Sequence, residues 1–152
     1  TMTIELWIRP ASVQETGPNI GLVAKAQSGV GWSWQMRFGN PALDNRLGFQ
    51  VNDVVKGSTW VSVKQDLIPG EWYHVAARFN GTHINIYLNG YEMNVNSVSG
   101  IKPSDANFYI GQDGWESVFD GTIAEVKIYN RALTEEEIRQ EYEKGIRENA
   151  PT

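Results

Sequence analysis

The sequence predicts an all-β chain, an antiparallel β-sandwich carrying one short C-terminal α-helix. Three observations support this: short runs alternating apolar and polar residues, Asn-Gly pairs beside such runs, and one segment with helix-start chemistry near the end. The first run, "TIELWIRP", sets Ile4, Leu6 and Ile8 on one face against Glu5, Trp7 and Arg9. "GWSWQMRF" aligns Trp32, Trp34, Met36 and Phe38 against Ser33, Gln35 and Arg37, and "RLGFQV" aligns Leu47, Phe49 and Val51 against Arg46, Gln50 and Asn52. A period of two is what a strand shows when one face is buried. In "EWYHVAARFNGTHINIYLNG", Val75, Ala77 and Phe79 precede one Asn-Gly, and Ile84, Ile86 and Leu88 precede a second. Asn-Gly tolerates the positive φ of type I′ turns, so consecutive hairpins are expected. Further strands fit near 107–111 and 121–129, for a total of eight to eleven.

The helix lies in "NRALTEEEIRQEYEKG". Thr134 as N-cap and Glu137 three residues on form a capping box, Ile138 and Tyr142 share a face, and Gly145 is placed to close the helix. The expected division is a domain over residues 1–145 and a linker or tail over 146–152.

With 152 residues, 41% hydrophobic and 20% charged, the composition is that of one globular domain. A net charge of −5 argues against nucleic acid or an anionic membrane as partner. No apolar run approaches the roughly 18 residues needed to span a bilayer. With zero cysteines, disulfides and thiolate chemistry are excluded. Six Trp, six Tyr and five Phe make exposed aromatic rings worth seeking.

Three stretches carry a resemblance. "WYHVAARFNGTHINIYLNG", "YIGQDGWESVFDGTIAEVKIYNRALTEEEI" and "TIELWIRP" resemble signatures of the laminin-G-like domains of the concanavalin A-like lectin/glucanase superfamily, and they fall in the expected order along the chain. The resemblance implies a jelly-roll β-sandwich. It also implies that Trp7, Trp72 and His74 are framework, along with Phe119 and Gly121, and that Asp120 is a turn residue. Members usually carry an additional strand ahead of the first one here. Where many have an acidic ligand for a structural calcium, this chain has Ala124, whose methyl group offers no oxygen. No cofactor is therefore required, and calcium is doubtful.

Glucanases of this fold place their acids in a Glu-x-Asp-x-x-Glu strand, and no such run exists here, so a non-catalytic chain is expected. Carbohydrate recognition needs aromatic rings for the apolar faces of sugars and polar side chains for their hydroxyls. The candidates are Trp115, Asp113 and Glu116 in the loop "GQDGWESVFDG", with Trp32, Trp60, Tyr87, Arg37 and Asn52. Gln35, Gln50, His83 and Asn85 are expected beside them as the wet sides of half-buried strands. Each has a plainer reading: Trp32 and Trp60 as rim or core packing, Trp115 as loop packing, and the acids as a solvated loop. The expected function is a carbohydrate-binding, lectin-like module of a larger secreted or surface protein, with a poly- or oligosaccharide and neighbouring domains as partners. The alternative is a structural or adhesion module with no sugar ligand.

Overall fold

A computed structural model of the chain describes residues 1–12, 20–39, 46–115 and 118–149. Among these residues the strands are β1 (Met2–Pro10), β2 (Ile20–Gln27), β3 (Gly31–Phe38), β4 (Gly48–Asp53), β5 (Gly57–Ser62), β6 (Tyr73–Phe79), β7 (His83–Leu88), β8 (Tyr91–Ser97), β9 (Phe108–Ile110) and β10 (Gly121–Tyr129), followed by helix α1 (Glu135–Asn149). They form two five-stranded antiparallel sheets, ordered β10-β1-β6-β7-β8 and β5-β4-β3-β2-β9. The sheets pack face to face, with β7 against β4 and β8 against β5.

The alternation predicted the core correctly. Ile4, Leu6 and Ile8 of β1 meet Met36 and Phe38 of β3 and Phe49 and Val51 of β4 in one cluster. Each such side chain contributes roughly 1.5–3 kcal/mol by leaving water. Trp34 joins them, 6% exposed and tilted against Phe49 at 6.4 Å. The stretches 107–111 and 121–129 do contain strands. Strand β2 has no alternation to betray it: "IGLVAKAQ" is buried on both faces through its middle, where Gly21, Ala24 and Ala26 stand among Leu22 and Val23.

The second Asn-Gly pair makes the expected two-residue turn, with φ of 50° at Asn89 and 83° at Gly90. At the first, the Asn80 side-chain oxygen accepts the backbone N–H of Thr82 (3.0 Å) and of His83 (2.9 Å), which makes it an Asx turn.

Helix α1 lies on the outer face of the first sheet, where Leu133 and Ile138 cover Ala76 and Tyr87. Its capping box is formed: Glu137 N–H donates to Thr134 Oγ1 at 3.1 Å, and Thr134 N–H donates to Glu137 Oε1 at 3.2 Å. Thr134→Ala should therefore cost about 1 kcal/mol, seen as a Tm lower by roughly 2–4 °C for a chain of this size. Gly145 does not close the helix, which continues to Asn149. A Cβ at Gly145 would stand 2.3 Å from the Trp7 ring, so the glycine is there to let the helix approach the sheet. Trp7 is half-buried in that gap, edge-on to His74 at 5.2 Å and stacked on Tyr142 at 5.8 Å. Phe119 stacks on Phe38 at 6.0 Å, as its framework reading requires, and Asp120 lies in a bend just ahead of β10. Trp72 departs from that reading: it is 43% exposed, with the Arg9 guanidinium 5.3 Å from the centre of its ring.

Candidate functional site

The site sits on the outer face of the second sheet, and strand register builds it. Pairing aligns Ala24, Gln35, Gln50 and Trp60 in one row across β2, β3, β4 and β5. The neighbouring row is Gly21, Arg37, Gly48 and Ser62. The two glycines leave room on either side of Arg37. A Cβ at Gly48 would lie 2.4 Å from the Trp60 ring, and one at Gly21 would lie 2.2 Å from the main chain of Gln112. The Trp60 indole thus lies over β4 while the segment 112–114 lies along β2, where a Cβ at Gly114 would meet Ala26 O at 2.2 Å.

Arg37 stands between these two walls. Its guanidinium carbon is 5.6 Å from the centre of the Trp60 ring, and the Asp113 carboxylate supplies its counter-charge. Burial holds the Arg37 pKa below its ordinary value, with Asp113 acting against that shift. Asp113 is 1% exposed, and its Oδ1 accepts the Trp115 N–H at 2.8 Å.

Gln35, Gln50 and Arg37 were expected on wet strand faces, yet they are 4%, 5% and 7% exposed. A buried polar group is normally hydrogen-bonded. Here, among the described residues, Gln35 Oε1, Gln50 Oε1, Arg37 Nε and Trp60 Nε1 have no hydrogen-bond partner, and all four belong to this one face. The Gln50 amide is oriented by a bond from its nitrogen to Ser58 Oγ.

Six of the eight sequence candidates lie on this sheet or the loop against it. Trp60, Arg37 and Asp113 form the cluster. Asn52, two residues beyond Gln50, donates to Trp32 O at 3.2 Å. Both line a groove of about 440 Å³ at the sheet end, with Lys102 and Asp105 opposite. Trp115 is 43% exposed at the end of the segment along β2. Asp113 corrects the expectation of a solvated loop tip, since it is turned inward. Tyr87 is a second correction. It is fully buried under α1, its ring faced by Arg78 at 5.4 Å, because its outward-pointing strand position is covered by the helix. Asn85 is buried on the same covered face, bonded to Arg78 and Glu92, while His83 is exposed. Glu116 lies outside the described residues. Gly21 and Gly48 were not among the candidates. The available signal was a glycine inside a strand, which marks close approach of another group.

No group of three or more His, Cys, Asp or Glu side chains that could hold a metal ion exists among the described residues. Ala124 pairs with Trp7 across β10 and β1, and its methyl group offers no oxygen donor there.

A second titratable cluster lies under α1. Tyr129 OH donates to Glu5 Oε1 at 3.1 Å, and Lys127 Nζ is 3.6 Å from that oxygen and 2.7 Å from Glu141. His74 Nε2 is 3.7 Å from Glu5 Oε2. The helix covers this cluster, which belongs to the first sheet and is separate from the polar face on the second. No helix among the described residues is long and apolar enough to cross a membrane.

Comparison with known proteins places the fold. The family model described as the concanavalin A-like lectin/glucanases superfamily, in its laminin G form, matches residues 1–139. No curated protein sequence matches the chain. Among solved structures, domain 4 of AbnA, a GH43 extracellular arabinanase from Geobacillus stearothermophilus, in complex with arabinotriose, is similar. It is 20% identical with TM-score 0.69, over 91% of this chain and 65% of that one. A provisionally assigned carbohydrate binding protein from Bacteroides ovatus is 25% identical with TM-score 0.71, over 91% of this chain and 40% of that one. The receptor binding domain of botulinum neurotoxin D is 16% identical with TM-score 0.71, over 95% and 37%. The chain thus spans less than two thirds of each of these three.

Proposed function

Because the chain belongs to the concanavalin A-like lectin/glucanases superfamily, we propose that it is a non-catalytic carbohydrate-binding module that takes a saccharide on the outer face of its second sheet. The observation that carries this reading is the 43% exposed ring of Trp115 on the segment along β2, together with a groove of about 440 Å³ lined by Trp32 and Asn52 at the end of the same sheet. A polyhydroxylated molecule has the matching chemistry. The half-exposed ring of Trp115, with Trp32 and Asn52 at the sheet end, would supply stacking and rim contacts.

Among the described residues the face has no pair of opposed carboxylates. Asp113, its buried acid, is turned to Arg37 and to the Trp115 N–H, which suits positioning rather than proton transfer. In this reading binding needs no calcium. The module acts within a longer secreted or surface protein, where it holds neighbouring domains on a glycan.

The test is a polysaccharide and glycan-array screen of the wild type and the variant Trp115→Ala. The wild type should bind at least one glycan, and loss of one stacked ring worth about 1 kcal/mol should weaken it roughly fivefold. A chelator should leave the affinity unchanged. A wild type that binds no glycan, or a Trp115→Ala variant of full affinity, would sink the proposal; turnover of any polysaccharide would overturn the non-catalytic part.

A further inference from the structure

We infer that the chain holds a second saccharide site at the opposite end of the sandwich, where Arg9, Asp120 and Thr122 meet the exposed ring of Trp72. The inference rests on the carbohydrate reading above and adds a site to it. Strand register builds this corner. Arg9 pairs with Thr122 across β1 and β10, and Ile8 pairs with Tyr73 across β1 and β6. Arg9, which follows Ile8, and Trp72, which precedes Tyr73, therefore come side by side, with the guanidinium 5.3 Å from the centre of the ring. The floor is main chain: Gly70 N–H donates to Pro10 O at 2.8 Å, and Ala11 N–H donates to Asp120 O at 2.9 Å. A Cβ at Gly121 would lie 2.4 Å from Arg9 O, so the two strands close here only over glycine. Above this floor runs a groove of about 490 Å³, lined by Arg9, Pro69, Gly70, Asp120 and Thr122. Trp72 backs Arg9 and is itself 43% exposed.

The polar groups of this corner are within reach of a ligand and uncommitted. Arg9, Asp120 and Thr122 are exposed, and among the described residues no hydrogen bond or ion pair engages their side chains. The Trp72 ring holds the guanidinium by a cation–π contact, so less side-chain freedom is lost when a ligand binds. The guanidinium only donates, the carboxylate only accepts, and the hydroxyl does both. Vicinal sugar hydroxyls, each a donor and an acceptor, answer that set, and bonds to the two charged groups are of the stronger kind. The exposed part of Trp72 offers apolar surface to the face of a sugar ring. An apolar partner would instead bury both charges unanswered. This corner is distant from the first site. Lys56, in the turn after β4, bonds Ser97, and the ladder continues from Ser97 to His83 and from Ile84 through Phe79 to Met2. Met2 thus lies at the end that carries Trp32 and Asn52, and Arg9 lies further along β1, roughly 23 Å away at the rise of a strand. A module with sites at both ends joins two glycan strands, or two stretches of one, and gains avidity from doing so.

The experiment titrates the intact chain with short arabino-, xylo-, manno- and cello-oligosaccharides by calorimetry, with NMR spectra of the indole N–H groups recorded in parallel. A sugar that binds should occupy two sites per chain and shift the signals of both Trp72 and Trp115. Asp120→Asn and Arg9→Gln change exposed side chains, so both variants should keep the wild-type Tm. Each should weaken one site roughly tenfold and leave the Trp115 response intact, while Trp115→Ala should weaken the other site and leave the Trp72 response intact. A single site per chain, with an unmoved Trp72 signal and full affinity in Asp120→Asn and Arg9→Gln, would overturn the second site and leave the first reading in place. Binding that moves Trp72 alone would uphold this site and overturn the placement of the first. Failure of every one of these sugars to bind would overturn the carbohydrate reading, and the inference with it.

Discussion

Gly21→Val is expected to lower stability by about 3 kcal/mol, the upper part of the usual range for forcing extra atoms into a packed site, and to weaken glycan binding roughly fivefold. The backbone at Gly21 is not in the left-handed region, so the effect is purely one of space. A Cβ there would sit 2.2 Å from the carbonyl carbon of Gln112 and 2.3 Å from the nitrogen of Asp113. Main-chain atoms cannot rotate aside as a side chain can, so the segment must lift from β2. As it lifts, Asp113 is withdrawn from Arg37, and Trp115, whose N–H is held by Asp113, moves with it. Thermal unfolding should show a Tm lower by roughly 6–12 °C for a chain of this size, and amide exchange at Trp115 should quicken. A variant with unchanged Tm, unchanged exchange and full affinity would show that the segment does not rest on β2 as described.

Acidification should produce the second large effect, through His74. This side chain is 2% exposed between Trp7 and Tyr142, and burial, more than the opposing influence of Glu141 and the reinforcing one of Lys127, lowers its pKa from 6.5 to about 4. The unfolded chain binds a proton at His74 near pH 6.5, whereas the folded chain resists it until about pH 4. Stability from this group is therefore complete above pH 6.5 and is lost as pH falls toward 4. The loss amounts to about 3 kcal/mol, since each tenfold weakening of proton binding on folding corresponds to roughly 1.4 kcal/mol. Burial raises the pKa of neighbouring Glu5, which acts in the opposite sense and returns part of the loss at the lower end. Glu141 is held low by the Lys127 ammonium, so its contribution disappears with acid as that of His74 does. Denaturant unfolding at successive pH values should show the wild type weakening between pH 6.5 and 4 and a His74→Gln variant weakening markedly less. Equal slopes for the two proteins would remove His74 as the cause.

The core and the site differ in how far they can be read in advance. Alternation in β1, β3 and β4 identifies the inner face because Ile4, Leu6, Met36, Phe49 and Val51 recur at every second residue. The same alternation labels Gln35, Arg37 and Gln50 only as not inner. It carries no information on whether that other side is wet or covered, and in this chain it is 4–7% exposed. Tyr87 shows the same ambiguity with the opposite result: an outward strand position that looks available is sealed by α1. Gly145 is ambiguous in its own way, because a glycine near a helix end commonly marks its close, whereas here it marks the approach of Trp7.

The sandwich, its inner face, the Asn89-Gly90 turn and the capped terminal helix were all legible along the chain. Each of these follows from local chemistry repeated at the period of its own element. Most of the chemically useful side chains were legible too, including Trp60, Arg37 and Asp113. That these three meet was not. Their meeting depends on register between strands distant in sequence, and on two glycines that admit an indole on one side of Arg37 and a loop on the other. The four unpartnered atoms are likewise a property of the assembled face. Whether a buried polar atom has a partner is settled by what packs against it in space, which no local pattern along the chain records.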